Sequence, residues 1–135
     1  MIVGAVYNVA VWRMTVDERI GVTSHKGKQI LVVDLSNCSA AEVEKTVRAL
    51  PEVVTAQALN SVLMLADLTD AAFDREVLRT MKEAAVFNKP YIKKTAWVGA
   101  QSFPEVFREN LQSFSRRDFP TFKSRREALE WLVAD

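Results

Sequence analysis

Ser-Val-Leu-Met-Leu-Ala-Asp-Leu-Thr-Asp, at residues 61–70, is a nearly uninterrupted apolar run with a polar ending. Such a run, bounded by turn residues, is typical of a strand buried on both faces of a parallel sheet. Asp70 is predicted to cap the next helix, whose apolar residues recur every four positions as far as Asn88. We therefore place this strand at the centre of the sheet. We expect a functional surface at its carboxyl end, at Asp67 and Thr69.

Residues 19–34 predict a β-hairpin ahead of the central strand. The segment Gln-Ile-Leu-Val-Val-Asp at 29–34 is a second apolar run, and residues 19–25 have the composition of a partner strand. The polar turn His-Lys-Gly-Lys at 25–28 joins the two. The second strand of this hairpin is expected to lead into the core.

The first helix is predicted after residue 38. Ser39, with Glu42 three residues later, forms a capping box at its start. Pro51 is predicted to end the helix, because proline has no N–H to donate and clashes with the preceding turn. Residues 53–60 fit either a loop or a short strand.

Two further strand–helix pairs are predicted beyond the second helix. Residues 91–98 supply a strand that ends at Gly99, and a short strand is predicted at 119–122. A second capping box, Ser124 with Glu127, opens the last helix. Apolar residues at helical spacing predict the buried face of the third helix: Phe107, Leu111 and Phe114.

This alternation predicts one α/β domain at residues 20–135, with a mainly parallel sheet of about five strands and four helices. Residues 1–19 are predicted to be an N-terminal extension or an extra strand. An alternative is that the native chain begins at Met14. The apolar stretch 1–14 lacks a basic leader and is shorter than the about 20 residues that span a bilayer, so no transmembrane segment is predicted.

Composition sets broad limits on function. The 135 residues are 49% apolar and 26% charged, which is ordinary for one globular domain. The net charge of +1 gives no reason to expect a nucleic acid or an anionic membrane as partner. Cys38 is the single cysteine, so no internal disulfide forms, and a cytoplasmic location is expected.

The ends of two predicted strands share a pattern. Residues 32–37 and 65–70 both contain an aspartate, a leucine, a hydroxyl residue and then Asn or Asp. Ligands of open parallel sheets bind beyond the carboxyl ends of the strands. We therefore predict a ligand or partner surface formed by the residues at these ends: Asp34, Ser36, Asp67, Thr69, Gly99 and Gln101.

Each of these polar residues also has a simpler interpretation. Asp67 and Thr69 could hold an anion or accept a phosphate at a helix start, or Thr69 and Asp70 could cap that helix. If Asp34 and Asp67 were close, one pKa would rise and the two could act as an acid–base pair. The alternative is that both are solvated or bonded to loop amides. We favour the structural roles and predict no catalytic residue.

A second candidate surface is basic. It consists of the cations near the carboxyl end of the chain: Arg116, Arg117, Lys123, Arg125 and Arg126. Together they could bind an anion, a phospholipid headgroup or an acidic partner. The alternative is a solvated basic rim on helices whose phenylalanines belong to the core.

Other side chains carry weak chemical signals. Cys38 lies before a helix, which can lower a thiol pKa, but no partner base is near it in sequence. His25, the single histidine, is placed in a surface turn and suits no catalytic triad. No Cys/His cluster, carboxylate set or glycine-rich loop predicts a metal or a cofactor.

The segment Asn-Lys-Pro-Tyr-Ile-Lys-Lys-Thr-Ala-Trp-Val-Gly at 88–99 resembles the "NRPYVKKSAVVG" segment of the SpoIIAA-like (STAS-related) small bacterial proteins. Phe-Ser-Arg-Arg at 114–117 and Glu-Ala-Leu-Glu-Trp-Leu at 127–132 are similar to that family's closing signature. The resemblance covers residues 20–132. It implies the fold of anti-sigma-factor antagonists, which is related in shape to CRAL-TRIO lipid-binding domains.

The resemblance implies no established activity. Signalling STAS domains carry a phosphorylated hydroxyl in an Asp-Ser-Ser/Thr-Gly segment, and only Thr69 corresponds to it here. The first hypothesis is therefore a non-enzymatic regulatory or protein-interaction module that binds a partner or forms a homodimer. The second is a small-ligand or lipid-binding protein with an apolar cavity, to which aromatic residues such as Trp97 and Tyr91 would contribute. An enzyme built on Asp34 and Asp67 ranks last.

Overall fold

A computed structural model describes residues 19–135, which form one five-stranded sheet and four helices. The strands are β1 (Ile20–His25), β2 (Lys28–Asp34), β3 (Val62–Asp67), β4 (Ile92–Val98) and β5 (Thr121–Phe122). The helices are α1 (Ala40–Val54), α2 (Arg75–Asn88), α3 (Glu105–Ser115) and α4 (Arg125–Val133), with 3-10 turns at Lys89–Tyr91 and Ala100–Ser102. The predicted fold class is confirmed. The predicted extension or extra strand at 1–19 and the alternative start at Met14 concern residues 1–18, which lie outside the described part.

The predicted central strand is central in the sheet. The strand order is β1-β2-β3-β4-β5; β1 pairs antiparallel with β2, and the other neighbouring pairs are parallel. All six residues of β3 are buried, because helices cover both faces of the sheet. The hairpin is confirmed as well. It turns at Lys26 and Gly27, whose φ angles of 49° and 81° suit a two-residue hairpin turn.

Helices cover the two faces of the sheet unequally. α1, α2 and α3 pack on one face and share its main apolar cluster with Met64 of β3. α4 alone packs on the other face, where Ala128 and Leu132 meet Leu65. Met64 and Leu65 point to opposite faces because side chains alternate along a strand.

Helix α1 continues through Pro51 instead of ending there, so that prediction is wrong. The helix closes at Thr55, whose N–H and hydroxyl both donate to the Pro51 carbonyl, at 2.9 and 2.6 Å. Val53 and Val54 are fully buried. The free energy gained by burying these two side chains exceeds the cost of the hydrogen bond that Pro51 cannot donate, so the helix continues for one more turn.

Helix α2 begins later than the sequence predicts. Its cap is Asp74, whose carboxylate accepts the Val77 N–H at 2.8 Å. Asp70, the predicted cap, has a φ of 54° and belongs to a turn before the helix. Both aspartates are acceptable caps by residue type, and only the path of the chain from β3 selects between them.

Candidate functional site

Asp34 and Ser36 form a tight turn where β2 ends. The Asp34 carboxylate accepts hydrogen bonds from the Ser36 N–H at 3.0 Å and from the Ser36 hydroxyl at 2.6 Å. Asn37 follows with a φ of 57°, a conformation that asparagine adopts more readily than most residues. The chain thereby turns sharply away from the sheet.

Asp67 and Thr69 repeat this turn at the end of β3. The Asp67 carboxylate accepts the Thr69 N–H at 3.0 Å and the Thr69 hydroxyl at 2.6 Å, and Asp70 has the positive φ that Asn37 has in the first turn. Asp34 and Asp67 are partners in the parallel register, so the two turns lie side by side. The sequence pattern shared by the two strand ends is therefore a repeated local structure.

Backbone hydrogen bonds join the two turns beyond the end of the regular strands. The Leu35 N–H donates to the Asp67 carbonyl, and the Asn37 N–H donates to the Thr69 carbonyl, both at 2.8 Å. Leu35 is buried in the core between them. The turns therefore continue the ladder of the parallel sheet.

Arg125, the first residue of α4, lies between the two aspartates. Its Nε donates to Asp67 Oδ2 at 2.9 Å, and its Nη2 lies 3.5 Å from Asp34 Oδ1. The Asp67 side chain is 10% exposed, whereas those of Asp34 and Arg125 are about half-exposed. Asp34 and Asp67 are register partners, as the acid–base interpretation requires, but a cation lies between them and fastens the start of α4 to the strand ends.

The charge state of Asp67 follows from these contacts. Burial acts to raise the pKa of Asp67, but the hydrogen bonds from the Thr69 hydroxyl and N–H and then from Arg125 outweigh it, so this pKa is lowered below its ordinary value. An acid–base pair needs one carboxyl group with a raised pKa. The geometry instead supports an ionised carboxylate held by an arginine.

Thr69 has a role that neither sequence interpretation included. It does not cap α2, which begins at Arg75, and its hydroxyl is committed to Asp67. A phosphate on Thr69 would place negative charge against that carboxylate. The hydroxyl therefore stabilises the turn at the end of β3.

Gly99 and Gln101 follow β4 at the same edge of the sheet. Gly99 is buried with a φ of 67°, and a Cβ atom there would collide with the Thr69 Oγ1 atom. Gln101 lies in the exposed 3-10 turn. Of these two predicted site residues, only Gln101 is accessible, and Gly99 provides the space that the Thr69 side chain occupies.

The structure divides the predicted basic surface. Arg125 binds the strand-end aspartates, whereas Arg117 reaches under the helical layer on the other face of the sheet. Arg116, Lys123 and Arg126 are exposed. The five cations therefore form no single patch.

Arg117 is the least exposed member of this group. Its guanidinium donates to the Ala85 carbonyl at 3.0 Å and to Thr95 Oγ1 at 2.7 Å, and its Cζ lies 4.9 Å from the centre of the Phe119 ring. Burial lowers the pKa of Arg117 to about 10. No carboxylate among residues 19–135 pairs with it.

Neither the family models nor the curated proteins contain a match to this chain. A solved structure does match: an uncharacterized protein of the DUF3478 family with a SpoIIAA-like fold, from Shewanella loihica PV-4. The TM-score is 0.65, and the alignment covers 84% of this chain and 92% of that one at 17% sequence identity. The chain has a SpoIIAA-like fold. At this identity the similarity establishes the fold alone. It is the fold that the resemblance at residues 88–99 implied.

The SpoIIAA-like fold places exposed apolar side chains at the end opposite the turns at residues 34–37 and 67–70. α2 and α3 run antiparallel to the strands that precede them, so their last turns lie at the amino ends of the parallel strands. The large apolar residues exposed there, which we call the apolar end, are Leu59, Val86, Phe87 and Phe114. Phe114 was predicted to be buried, and that prediction is wrong: the side chain is 59% exposed. Helical spacing alone does not tell how wide the covered face of α3 is.

Cys38 and His25 lie in surroundings that explain them as structural residues. Cys38 is buried in the main apolar cluster. His25 lies at the hairpin turn, and its Nε2 is 2.8 Å from Oε2 of Glu130 in α4. No group of three or more His, Cys, Asp or Glu residues within 19–135 could hold a metal ion. Over the same residues, no helix combines the length and the apolar character needed to cross a membrane.

Proposed function

We propose that this SpoIIAA-like chain is a non-enzymatic interaction module that binds a partner protein through the apolar end. The observation that carries the proposal is the exposure of its four side chains, which ranges from 47% for Val86 to 68% for Leu59. Scattered single apolar residues are normal on a surface, but a contiguous group is typical of an interaction site. The proposal therefore requires the four side chains to be neighbours on the surface.

Contacts between the elements support their proximity. The N–H of Asn60, next to Leu59, donates to the carbonyl of Pro90 just after α2, at 2.8 Å. Arg117, just after α3, donates to Ala85 in the last turn of α2. The Lys82 ammonium lies 5.5 Å from the centre of the Phe114 ring. The segments that carry the four side chains are therefore tied together.

Charge indicates the kind of partner. Three exposed or half-exposed cations lie beside these side chains, namely Lys82, Lys89 and Arg116, against one exposed acid, Glu83, in the groove that Phe87 lines. In a symmetric contact between two copies the same patch faces itself, so these cations would repel one another. A different protein with apolar anchor residues inside an acidic rim fits better, and we favour it over a homodimer.

The roles of the strand-end residues agree with a non-enzymatic module. The hydroxyls of Ser36 and Thr69 and the carboxylates of Asp34 and Asp67 are bonded to one another or to Arg125. Groups so committed are poorly placed to act on a substrate. That the strand ends form a ligand or partner surface stays a prediction.

The test places a photo-crosslinking amino acid at Phe87 in living cells of the native host. Val106 is the matched control, since it is also 60% exposed but lies in the first turn of α3, at the other end of that helix. We expect one discrete heavier adduct from position 87, none from position 106, and loss of the adduct when Phe114→Glu is added.

Binding of the partner identified in that adduct is then measured with purified proteins. Phe87→Glu should weaken binding by at least about tenfold, which corresponds to about 1.4 kcal/mol, whereas Val106→Glu should leave it unchanged. An adduct with the mass of two copies of this chain would replace the partner with a homodimer and overturn the proposal. Equal adducts from both positions, or none from either, would also overturn it.

A second candidate function, the binding of a small apolar ligand, is favoured by a separate observation. A cavity of about 60 Å³ lies between the sheet and helices α1, α2 and α3, and its lining is mostly apolar. An engineered cavity of about 150 Å³ holds one benzene molecule, so this cavity is too small for a lipid tail. A short aliphatic ligand suits it better.

A further inference from the structure

We infer that the cavity under the helices binds a short aliphatic monocarboxylate. Arg117 and Thr95 donate hydrogen bonds to its carboxylate, and Asn88 accepts one from a donor group beside it. This inference deepens the second candidate function and is independent of the apolar end. The three polar residues line the same cavity, in which every other lining residue is apolar. Each of the three has hydrogen-bonding capacity that its described neighbours leave unused.

Arg117 is a cation without a carboxylate partner within residues 19–135. Arg117 offers five N–H donors, of which one goes to the Ala85 carbonyl and one to Thr95 Oγ1. A partly buried charge without a counter-ion costs free energy, and a carboxylate bound beside it would offset that cost. A guanidinium is also shaped to bind both oxygens of a carboxylate at once.

Thr95 adds a second donor. Its Oγ1 already accepts a hydrogen bond from Arg117 at 2.7 Å, so its own O–H is oriented away from the guanidinium and free to donate. The residue is 4% exposed, which excludes bulk water as the regular acceptor. A carboxylate oxygen beside Arg117 would accept that proton.

Asn88 supplies a buried acceptor on the same cavity. This residue is 2% exposed, and its Oδ1 is the buried side-chain atom without a hydrogen-bond partner within residues 19–135. Leaving a buried acceptor unsatisfied costs about 1–3 kcal/mol. A ligand that carries a hydroxyl or N–H next to its carboxylate would satisfy Asn88 and the two donors together, so a 2-hydroxy acid fits best.

The ligand has a route to this position. Arg117 and Thr95 line the cavity and also an open groove of about 700 Å³ on the surface. Lys89, Lys93 and Lys94 border that groove, and Asp118 is its one acidic lining residue. An anion would therefore be attracted to the groove and reach Arg117 from it, with its aliphatic part directed toward the apolar lining.

The inference is tested by calorimetric titration of the purified protein with three probes of similar shape. They are propanoate, 2-hydroxypropanoate and the uncharged propanamide, whose alkyl groups are small enough for a cavity of about 60 Å³. We expect the hydroxy acid to bind most tightly and the amide at least about tenfold more weakly than propanoate, because the amide cannot form an ion pair with Arg117.

Variants assign the binding to the cavity. Arg117→Met should weaken binding of both acids by at least about tenfold, whereas Arg116→Met, the same change at the exposed neighbour, should leave it unchanged. In two-dimensional NMR spectra the side-chain amide of Asn88 should shift on addition of the hydroxy acid. If Arg117→Met fails to fold, the comparison of acid and amide with the unmodified protein still decides the result.

Two results would overturn the inference, and they have different consequences. Equal binding of the amide and propanoate would show that the cavity takes apolar ligands without recognising a carboxylate, which leaves the second candidate function standing. No binding of any probe at concentrations up to about 10 mM would overturn both. Neither result bears on the partner-binding proposal.

Discussion

Gly99 is the position where a single added carbon should do most harm. Its φ of 67° strains any residue with a side chain, and a Cβ atom would collide with Thr69 Oγ1 and crowd the Thr69 backbone. We predict that Gly99→Ala lowers the free energy of unfolding by about 3 kcal/mol, combining backbone strain and overpacking. Urea denaturation of the purified variant measures this loss.

Gly27 supplies the control for that experiment. It has a φ of 81° in the hairpin turn, but nothing lies within 4 Å of the place a Cβ atom would take. Gly27→Ala should therefore show the backbone strain alone, about 1 kcal/mol. Equal losses for the two variants would mean that the contact between Gly99 and Thr69 contributes nothing.

Asp67 should make the protein sensitive to acid. Its pKa is lowered in the folded state, so the stabilisation it provides is present above the unfolded pKa of about 3.9 and is lost as the pH falls through the folded value. We predict that Asp67→Asn is less stable at pH 7 by about 1–3 kcal/mol. Its stability should also fall less steeply than that of the unmodified protein below about pH 4.

The measurement is the free energy of unfolding at a series of pH values, with Asp118→Asn as the exposed control. That control should follow the unmodified protein at every pH. Parallel curves for Asp67→Asn and the unmodified protein in acid would contradict the assignment of the ionised carboxylate to this site.

At the scale of elements, the start of α2 distinguishes two aspartates of the same type. Asp74 accepts the Val77 N–H as a cap, whereas Asp70 adopts a positive φ in the preceding turn. We predict that Asp74→Ala lowers the stability by about 1 kcal/mol. Asp70→Gly should be neutral or slightly stabilising, because glycine adopts a φ of 54° without strain.

Thermal and urea unfolding of the two variants give the comparison. A neutral Asp74→Ala together with a destabilising Asp70→Gly would restore Asp70 as the cap. The same helix shows a limit of sequence reasoning. Residue type narrows a helix start to a few acceptable caps, and the length of the connection from β3 then selects one of them.

At the scale of the whole molecule, the two faces of the sheet should differ in stability. Three helices share the large cluster on one face, whereas α4 holds the other face chiefly through Ala128 and Leu132. Segments with fewer buried apolar contacts open at lower free energy. We predict that amides of α4 exchange with solvent by local opening, whereas those of β3 exchange only through global unfolding.

Native-state hydrogen exchange at increasing urea concentrations tests this. Exchange of the α4 amides should depend weakly on urea, since little surface is exposed when that helix opens. The Arg125 contact with Asp67 and Asp34 fastens the first turn of α4 and is lost both when α4 opens and when the whole chain unfolds, so Arg125→Met should speed exchange in α4 and in β3. Identical urea dependence in α4 and β3 would show a single cooperative unit instead.

The sequence by itself determined the α/β class, the order of the elements, the hairpin and the central buried strand. Local patterns carry those features, because an apolar run, a turn or a capping box involves residues close in the chain. The repeated turn at residues 34–37 and 67–70 was visible for the same reason.

Only the tertiary structure decided which polar groups meet. Arg125 lies 58 positions from Asp67, and Arg117 lies 22 from Thr95, so no local pattern could place either contact. The unpartnered Asn88 oxygen and the exposure of Phe114 also depend on what neighbouring elements cover. We therefore look for function at two places. At the apolar end packing leaves large apolar side chains exposed, and at Arg117 it leaves a charge without a carboxylate partner among the described residues.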